Sequence, residues 1–234
     1  MIKFLENLFK SEKNVFKDKA NFKELASNKE IQELFKSFNS YSDNAELRFV
    51  GGCVRKLICD EKIDDIDLST NLKPENVIEV LKKNKINFYE TGIEHGTITA
   101  VINKKNFEIT TLRKDIMTDG RHAQVEYTDN WLEDASRRDF TINSIYSDLD
   151  GNLFDPFNGR KDLKDGLIKF IGDPAKRVKE DYLRILRYIR FFFGYSKNQH
   201  DKNIVKIIKQ NLSGLKQVSK DRHLQELKKI ILSE

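Results

Sequence analysis

Apolar residues recur at three- and four-residue spacing through 22–38, "FKELASNKEIQELFKSF", which predicts a helix. "LRFV" then reads as a short strand, Gly51-Gly52 as a turn into a helix over 53–60, and "DIDLS" as a second strand. Pro74 follows the polar "STNLK" and suits the first turn of a helix running to about Asn84. "INFYE" reads as a strand, and "GTITAVI" and "FEITTL" alternate around "NKKN", which predicts a hairpin. Residues 113–131 lack periodicity and read as loop, and a helical pattern runs from Leu132 through Tyr146. "DLDGNLFDPFNGRKDLKDG" is turn-rich around Asp150-Gly151, and beyond Asp173-Pro174 the pattern is helical to the end. The layout is α+β: a mixed unit to about residue 150, then an all-helical one.

The 234 residues, 38% hydrophobic and 34% charged, suffice for one large domain or two small ones with a heavily ionic surface. No apolar run approaches the ~20 residues that cross a bilayer, so no membrane partner is expected. "MIKFLENLFKSEK" has helical spacing interrupted by Glu6 and does not resemble a signal peptide; a packing helix is the simpler reading and a membrane-surface helix the other. Cys53 and Cys59 lack CxxC spacing and read as reduced thiols, hence a cytoplasmic location. Four scattered histidines argue against a His/Cys zinc site. The net charge of +5 fits a polyanionic partner, although lysine enrichment alone does not establish one.

The informative stretch is "RFVGGCVRKLICDEKIDDIDLST", Arg48 to Thr70. On a strand, Asp65 and Asp67 point to one face and Ile66 to the other, with Cα atoms roughly 6.5–7 Å apart. Such acids can share hard cations, and two cations ~3.5–4 Å apart serve in-line phosphoryl displacement. Without a cation, same-face carboxylates repel and one retains its proton. A lone pair of this kind is more often an ordinary exposed strand face. Here Gly51-Gly52 opens a helix whose backbone N–H groups can meet phosphate oxygens, and Arg55 sits one turn in, within reach of the same anion.

These residues resemble the first motif of the class II nucleotidyltransferases, the bacterial CCA-adding tRNA nucleotidyltransferases and poly(A) polymerases. "DGRHAQVEYTDNWLEDASRRDFTINSIY" is similar to the family's flexible loop and RRDFTINA motif, and "FDPFNGRKDLKDGLIKFIGDPAKRVKEDYLRILRYIRFF" to its neck with EDxxRxxR. The likeness covers about 47–194. It implies an N-terminal helical segment (1–44), a polymerase-beta-like nucleotidyltransferase head (45–150), and a helical neck with the start of a truncated body (151–234). Lys56 stands where the family usually has Asp, Ser144 where it has Ala, Lys169 where it has Arg, and Tyr182 where it has Pro or Ala. None of these touches the acid pair, though Lys56 bears on how a triphosphate pocket is braced.

The resemblance implies transfer of C and A from CTP and ATP to the 3′ end of tRNA, with release of pyrophosphate. Asp65 and Asp67 would be the catalytic, metal-binding acids for Mg²⁺, as two ions. Gly51, Gly52, Arg55 and Arg138 would orient the triphosphate, with Asp139 orienting Arg138. Asp181 and Arg184, three apart on a helix, would read the base: carboxylate only accepts and guanidinium only donates. That fork fits the amino group and adjacent ring nitrogen of cytosine and of adenine, and meets like with like on uracil and guanine; each mismatch costs ~1–3 kcal/mol. An ordinary intrahelical ion pair is the plain alternative. Arg187 and Arg190 lie further round and suit phosphate contact or packing. The loop around Asp119-Gly120-Arg121 matches the segment that lets one pocket switch from C to A. Glu108 reads equally as a third acid or as the exposed side of a strand.

Two other functions fit the same residues: a poly(A) polymerase acting on RNA 3′ ends, and a non-catalytic RNA- or NTP-binding module. The second matters because family members continue into helical body and tail domains that grip tRNA, whereas only about two lysine-rich helices follow residue 195. A partner chain or a missing C-terminal domain would supply that grip, and RNA binding by this chain alone is expected to be weak and salt-sensitive.

Overall fold

The computed structural model describes residues 21–115 and 125–232. The Asp119-Gly120-Arg121 loop and the "MIKFLENLFKSEK" segment lie outside the described residues. The described residues divide into two compact units, one of 21–115, 125–134 and 145–154, the other of 135–144 and 155–232. The units do not follow a boundary at residue 150, because 135–144, with its "RDFTIN", clusters with the later helices.

The first unit is built on a seven-stranded mixed sheet, and its elements follow the expected order. Helix α1 (Lys29–Asn39) precedes β1 (Leu47–Val50), α2 (Gly52–Cys59), β2 (Asp67–Thr70), α3 (Pro74–Lys83) and β3 (Asn87–Gly92). The hairpin β4 (Thr97–Ile102) and β5 (Lys105–Thr111) follows, and β8 (Tyr146–Ser147) and β9 (Leu153–Phe154) complete the sheet in the order β3-β4-β5-β2-β1-β8-β9. Asn103 and Lys104 form the hairpin turn at φ 50° and 64°, the left-handed pair that two-residue hairpin turns require. A two-stranded ribbon, β6 (Arg113–Asp115) with β7 (Val125–Tyr127), replaces part of the stretch that reads as loop. Alternation along a three-residue strand is too short to register.

The helix expected over 22–38 is interrupted at Ser27-Asn28. Asn28 is extended at φ −65°, ψ 124°, and its side chain accepts from the N–H groups of Glu30 and Ile31, capping α1. Ile31, Leu34, Phe35 and Phe38 then face the core with Phe49, Leu68, Val80, Leu81, Ile98, Phe107 and Ile109. Buried on the sheet, each such side chain contributes roughly 1.5–3 kcal/mol.

In the second unit, the helix expected through Tyr146 stops early: α4 is Trp131–Arg137, its first four residues in the first unit. Phe140 is fully buried, its ring centroid 4.7 Å from that of Phe170, 6.3 Å from Tyr188 and 5.5 Å from Phe191. A continued helix would break that cluster. The extended backbone is instead held by Thr141 N–H on the Lys169 carbonyl (3.0 Å) and Ile171 N–H on the Asp139 carbonyl (3.1 Å). Helices α5 (Gly159–Asp165), α6 (Pro174–Glu180), α7 (Leu183–Tyr195), α8 (Lys202–Asn211) and α9 (Lys220–Leu232) follow, with a 3-10 stretch at Leu212–Gln217. Among the described residues no helix is long and apolar enough to cross a membrane.

Candidate nucleotidyl-transfer residues

In the first unit, Gly51 has φ 67° and ψ −117°, a conformation that side-chain-bearing residues strongly disfavour. Its N–H donates to the Ile145 carbonyl and its carbonyl accepts from Arg55 N–H (3.0 Å), so β1 passes directly into α2. Gly52 is the first residue of that helix, and Arg55, one turn on, is buried. A Cβ on Gly52 would stand 3.9 Å from Asp67 Oδ2. The glycine turn and the acid strand therefore meet, with one carboxylate oxygen at ordinary contact distance from the position of that Cβ.

Strand β2 begins at Asp67, which corrects the reading of Asp65 and Asp67 as alternating positions of one strand. Asp65 stands exposed in the preceding segment, while Ile66 packs against the core and Asp67 is half-buried. The parallel pairing of β2 with β5 sets Asp67 beside Glu108. Phe107 and Ile109 are buried, so Glu108 projects from the opposite face, as the strand period requires. Asp65, Asp67 and Glu108 offer only oxygen donors, the type that suits Mg²⁺, which keeps several waters and takes one or two carboxylates plus substrate phosphates. Among the described residues no group of three or more acids, histidines and cysteines closes into a preformed metal centre.

Cys53 lies directly behind these groups. Its thiol donates to the Val50 carbonyl (3.3 Å) and the Asp67 carbonyl (3.5 Å). Burial, with the Asp67 charge, pushes its pKa up to about 11, so it is an inert packing thiol. Lys56 Nζ pairs with Asp64 Oδ2 at 2.5 Å, and this hydrogen bond holds the Asp64 carboxyl below its ordinary range. The residue departing from the family pattern thus ties α2 to the segment that carries Asp65.

In the second unit, the stretch 180–187 is not one helix. Helix α6 ends at Glu180, Asp181 is extended at φ −152°, ψ 104°, and α7 starts at Leu183. Asp181 Oδ1 accepts Leu183 N–H (3.1 Å), serving the orphan donors of α7. The plain alternative, an ion pair between Asp181 and Arg184, is not the arrangement found. Arg184 Nη1 donates to Glu180 Oε2 (2.7 Å) and to the Arg177 carbonyl (2.8 Å), whereas Asp181 Oδ2 accepts from Arg222 Nη2 (2.8 Å).

Asp139 is buried and accepts from Phe140 N–H (2.9 Å), Asn143 Nδ2 (3.0 Å) and Arg187 Nε (2.7 Å). Burial raises its pKa, but the Arg187 charge and these hydrogen bonds outweigh burial and hold it below the usual carboxylate value. Arg190 Nε pairs with the buried Glu226 Oε1 at 2.5 Å. Arg187 and Arg190, read from the sequence as suited to phosphate contact or to packing, each engage a carboxylate of the same unit. Arg138 is half-buried and reaches the Asn143 carbonyl (3.4 Å).

Arg177, Glu180, Arg222 and Glu226 escape sequence reasoning. Arg177 is buried and donates to the carbonyls of Arg137 and Arg138, and to Glu180 Oε2 at 2.5 Å, bracing the segment that carries Arg138. Arg222 and Glu226 have the spacing of an ordinary i,i+4 pair, which conceals that each bonds to another element.

A mixed sheet carrying a glycine turn beside an acid strand, followed by a helical unit, defines a nucleotidyltransferase fold. The chain matches the Poly A polymerase head domain over residues 47–169, more than half its length, and belongs to that family. It is 45% identical over 207 residues to the mitochondrial CCA tRNA nucleotidyltransferase 1 of Homo sapiens, covering 87% of this chain and 46% of that protein. The crystal structure of the Bacillus stearothermophilus CCA-adding enzyme in complex with CTP superposes with a TM-score of 0.75 at 30% identity, covering 87% of this chain and 49% of that one. A tRNA nucleotidyltransferase complexed with a primer tRNA and an incoming ATP analog gives 0.64 at 29% identity, covering 80% and 53%. The chain spans about half the length of these relatives.

Proposed function

We propose that the chain adds C and A residues to the 3′ end of tRNA from CTP and ATP, releasing pyrophosphate, as a template-independent nucleotidyltransferase. The observation that carries this is the approach of the Asp67 carboxylate to the first turn of α2, where a Cβ on Gly52 would stand 3.9 Å from Asp67 Oδ2. Backbone N–H groups at the start of α2, with the buried Arg55, suit a triphosphate, and Asp67 with Asp65 and Glu108 suits an accompanying Mg²⁺. When bound, the cation would lower the pKa of the RNA 3′-hydroxyl and neutralise charge on the departing pyrophosphate. The protein's part is to hold the α-phosphate for in-line attack and to carry no covalent intermediate.

In the second unit, Asp181 and Arg184 supply the acceptor and donor that distinguish cytosine and adenine from uracil and guanine. For this, Arg184 exchanges its bonds to Glu180 and the Arg177 carbonyl for bonds to a base. Arg138 is the proposed triphosphate contact of this unit. The likeness to the human mitochondrial CCA tRNA nucleotidyltransferase 1 and to the Bacillus stearothermophilus CCA-adding enzyme supports the reading.

The test is incubation with tRNA lacking its CCA end, labelled CTP or ATP, and Mg²⁺, with product length read on a gel. Addition of up to three nucleotides that is lost in Asp67→Asn supports the reading. A long A tract on generic RNA would favour the poly(A) polymerase instead, and no extension from either nucleotide would favour a binding module.

A further inference from the structure

Helix α9 meets the base-reading segment at three points. Arg222 Nη2 bonds Asp181 Oδ2 (2.8 Å), and Glu226, one turn later, pairs with Arg190 of α7 at 2.5 Å. Just before α9, Gly214 lies under the Tyr182 ring so closely that an added Cβ would clash with it. Residues 181, 182 and 190 are thus all held from one side by 214–226. We propose that Arg222 is a specificity-determining positioning residue, which fixes the Asp181 carboxylate for base selection. This rests on Asp181 reading the base.

The argument is geometric. A carboxylate that must accept from an amino group and refuse a carbonyl has to be held with a lone pair aimed along one line. Asp181 sits in a helix break, where backbone hydrogen bonding does little to constrain its side chain. Leu183 N–H holds Oδ1 alone, and a single bond leaves the group free to rotate about it. The bond from Arg222 to Oδ2 fixes the second oxygen and so the carboxylate plane. Each carboxylate oxygen has two lone pairs, so Oδ2 can serve Arg222 and a base amino group together. The ion pair itself stabilises little, because Arg222 is half exposed. Its consequence lies in orientation. The buried Arg190–Glu226 pair then sets the register of α9, so that Arg222 arrives at Asp181.

Equilibrium binding of CTP, ATP and UTP to the full chain, without RNA, separates the outcomes. Arg222→Ala and Arg222→Gln are expected to reduce the preference for CTP over UTP about tenfold, the scale of one charge-assisted hydrogen bond. Both should leave the thermal midpoint within a degree or two of wild type. Arg222→Lys, which retains the charge and one donor, should recover part of the preference. In addition assays the same variants should raise KM for CTP while kcat changes little. Tighter CTP binding by Arg222→Ala would overturn the proposal, since Arg222 would then be an occluding plug. An unchanged preference would also overturn it. If Asp181→Asn loses the preference while Arg222→Ala keeps it, base reading stands and this inference alone fails; if neither variant affects it, the base-reading assignment fails with it.

Discussion

Arg187 closes on Asp139 through two donors, Nε at 2.7 Å and Nη2 at 2.6 Å from the same carboxylate oxygen. Asp139 is buried at the break after α4, and Arg187 lies on α7, so the pair fastens the "RDFTIN" segment to the helix that follows Asp181. Asp139→Asn keeps the size and removes the charge, leaving Arg187 without its counterion. Such one-sided losses cost about 3–5 kcal/mol, and a value near 3 is expected because Arg187 is partly open to solvent. Urea unfolding followed by circular dichroism checks it.

The same pair has a signed pH dependence. The folded Asp139 pKa lies below its unfolded value of about 3.9, so its contribution is fully present above that pH and is lost as pH falls through the folded pKa. An asparagine does not titrate. The stability gap between wild type and Asp139→Asn should therefore be constant from pH 7 to about 5 and narrow below about 4. A gap that widens in acid would contradict the assignment.

Gly51 and Gly52 should respond differently to alanine. At Gly51 the positive φ with ψ −117° is strained for any side chain, so Gly51→Ala should lower stability by about 1–3 kcal/mol. At Gly52 an added methyl meets Asp67 Oδ2 at 3.9 Å, ordinary contact distance, so folding should be unaffected. The methyl does occupy the space proposed for triphosphate. Gly52→Ala is expected to keep the wild-type melting temperature and lose at least tenfold in nucleotide addition.

Local pattern reports what a residue does for its own element, and this explains which parts were readable. The β4–β5 hairpin, Pro74 at the first turn of α3 and the turn from β1 into α2 are set by neighbours in sequence, and each stands where its pattern indicates. Phe140 leaves the helical path because Phe170, Tyr188 and Phe191 bury it, and those partners lie 30 or more residues away. Asp181 illustrates the subtler failure. Its spacing to Arg184 suggests one helical face, yet a short acid before an apolar residue is also a capping signal, and capping wins here. The family resemblance implies roles for Asp65, Asp67, Asp181 and Arg184, but not the bonds that each makes.

Lys56 and Asp64 offer a test of the departure from the family pattern. Their bond links α2 to the segment before β2, where Asp65 has no strand partner to hold it. Lys56→Ala should leave the melting temperature unchanged, since both groups are solvent-accessible. It should reduce nucleotide addition severalfold by loosening the Asp65 segment. Asp64→Asn should reproduce that loss, and the double variant should be no worse than either single one, because one link is removed in all three. Additive losses would mean that the residues act separately.

Glu108 offers a test of whether two acids or three would hold the proposed cation. It stands beside Asp67 in the parallel register of β2 and β5, on neighbouring strands ~4.8 Å apart, and its side chain is exposed rather than spent on packing. A carboxylate there adds negative charge next to Asp67, which a bound Mg²⁺ would offset. Glu108→Gln keeps the strand and removes that charge. The Mg²⁺ concentration giving half-maximal addition should rise at least fivefold, with the melting temperature unchanged. If the variant titrates with Mg²⁺ as wild type does, Glu108 is only the outer side of β5, and the cation depends on Asp65 and Asp67.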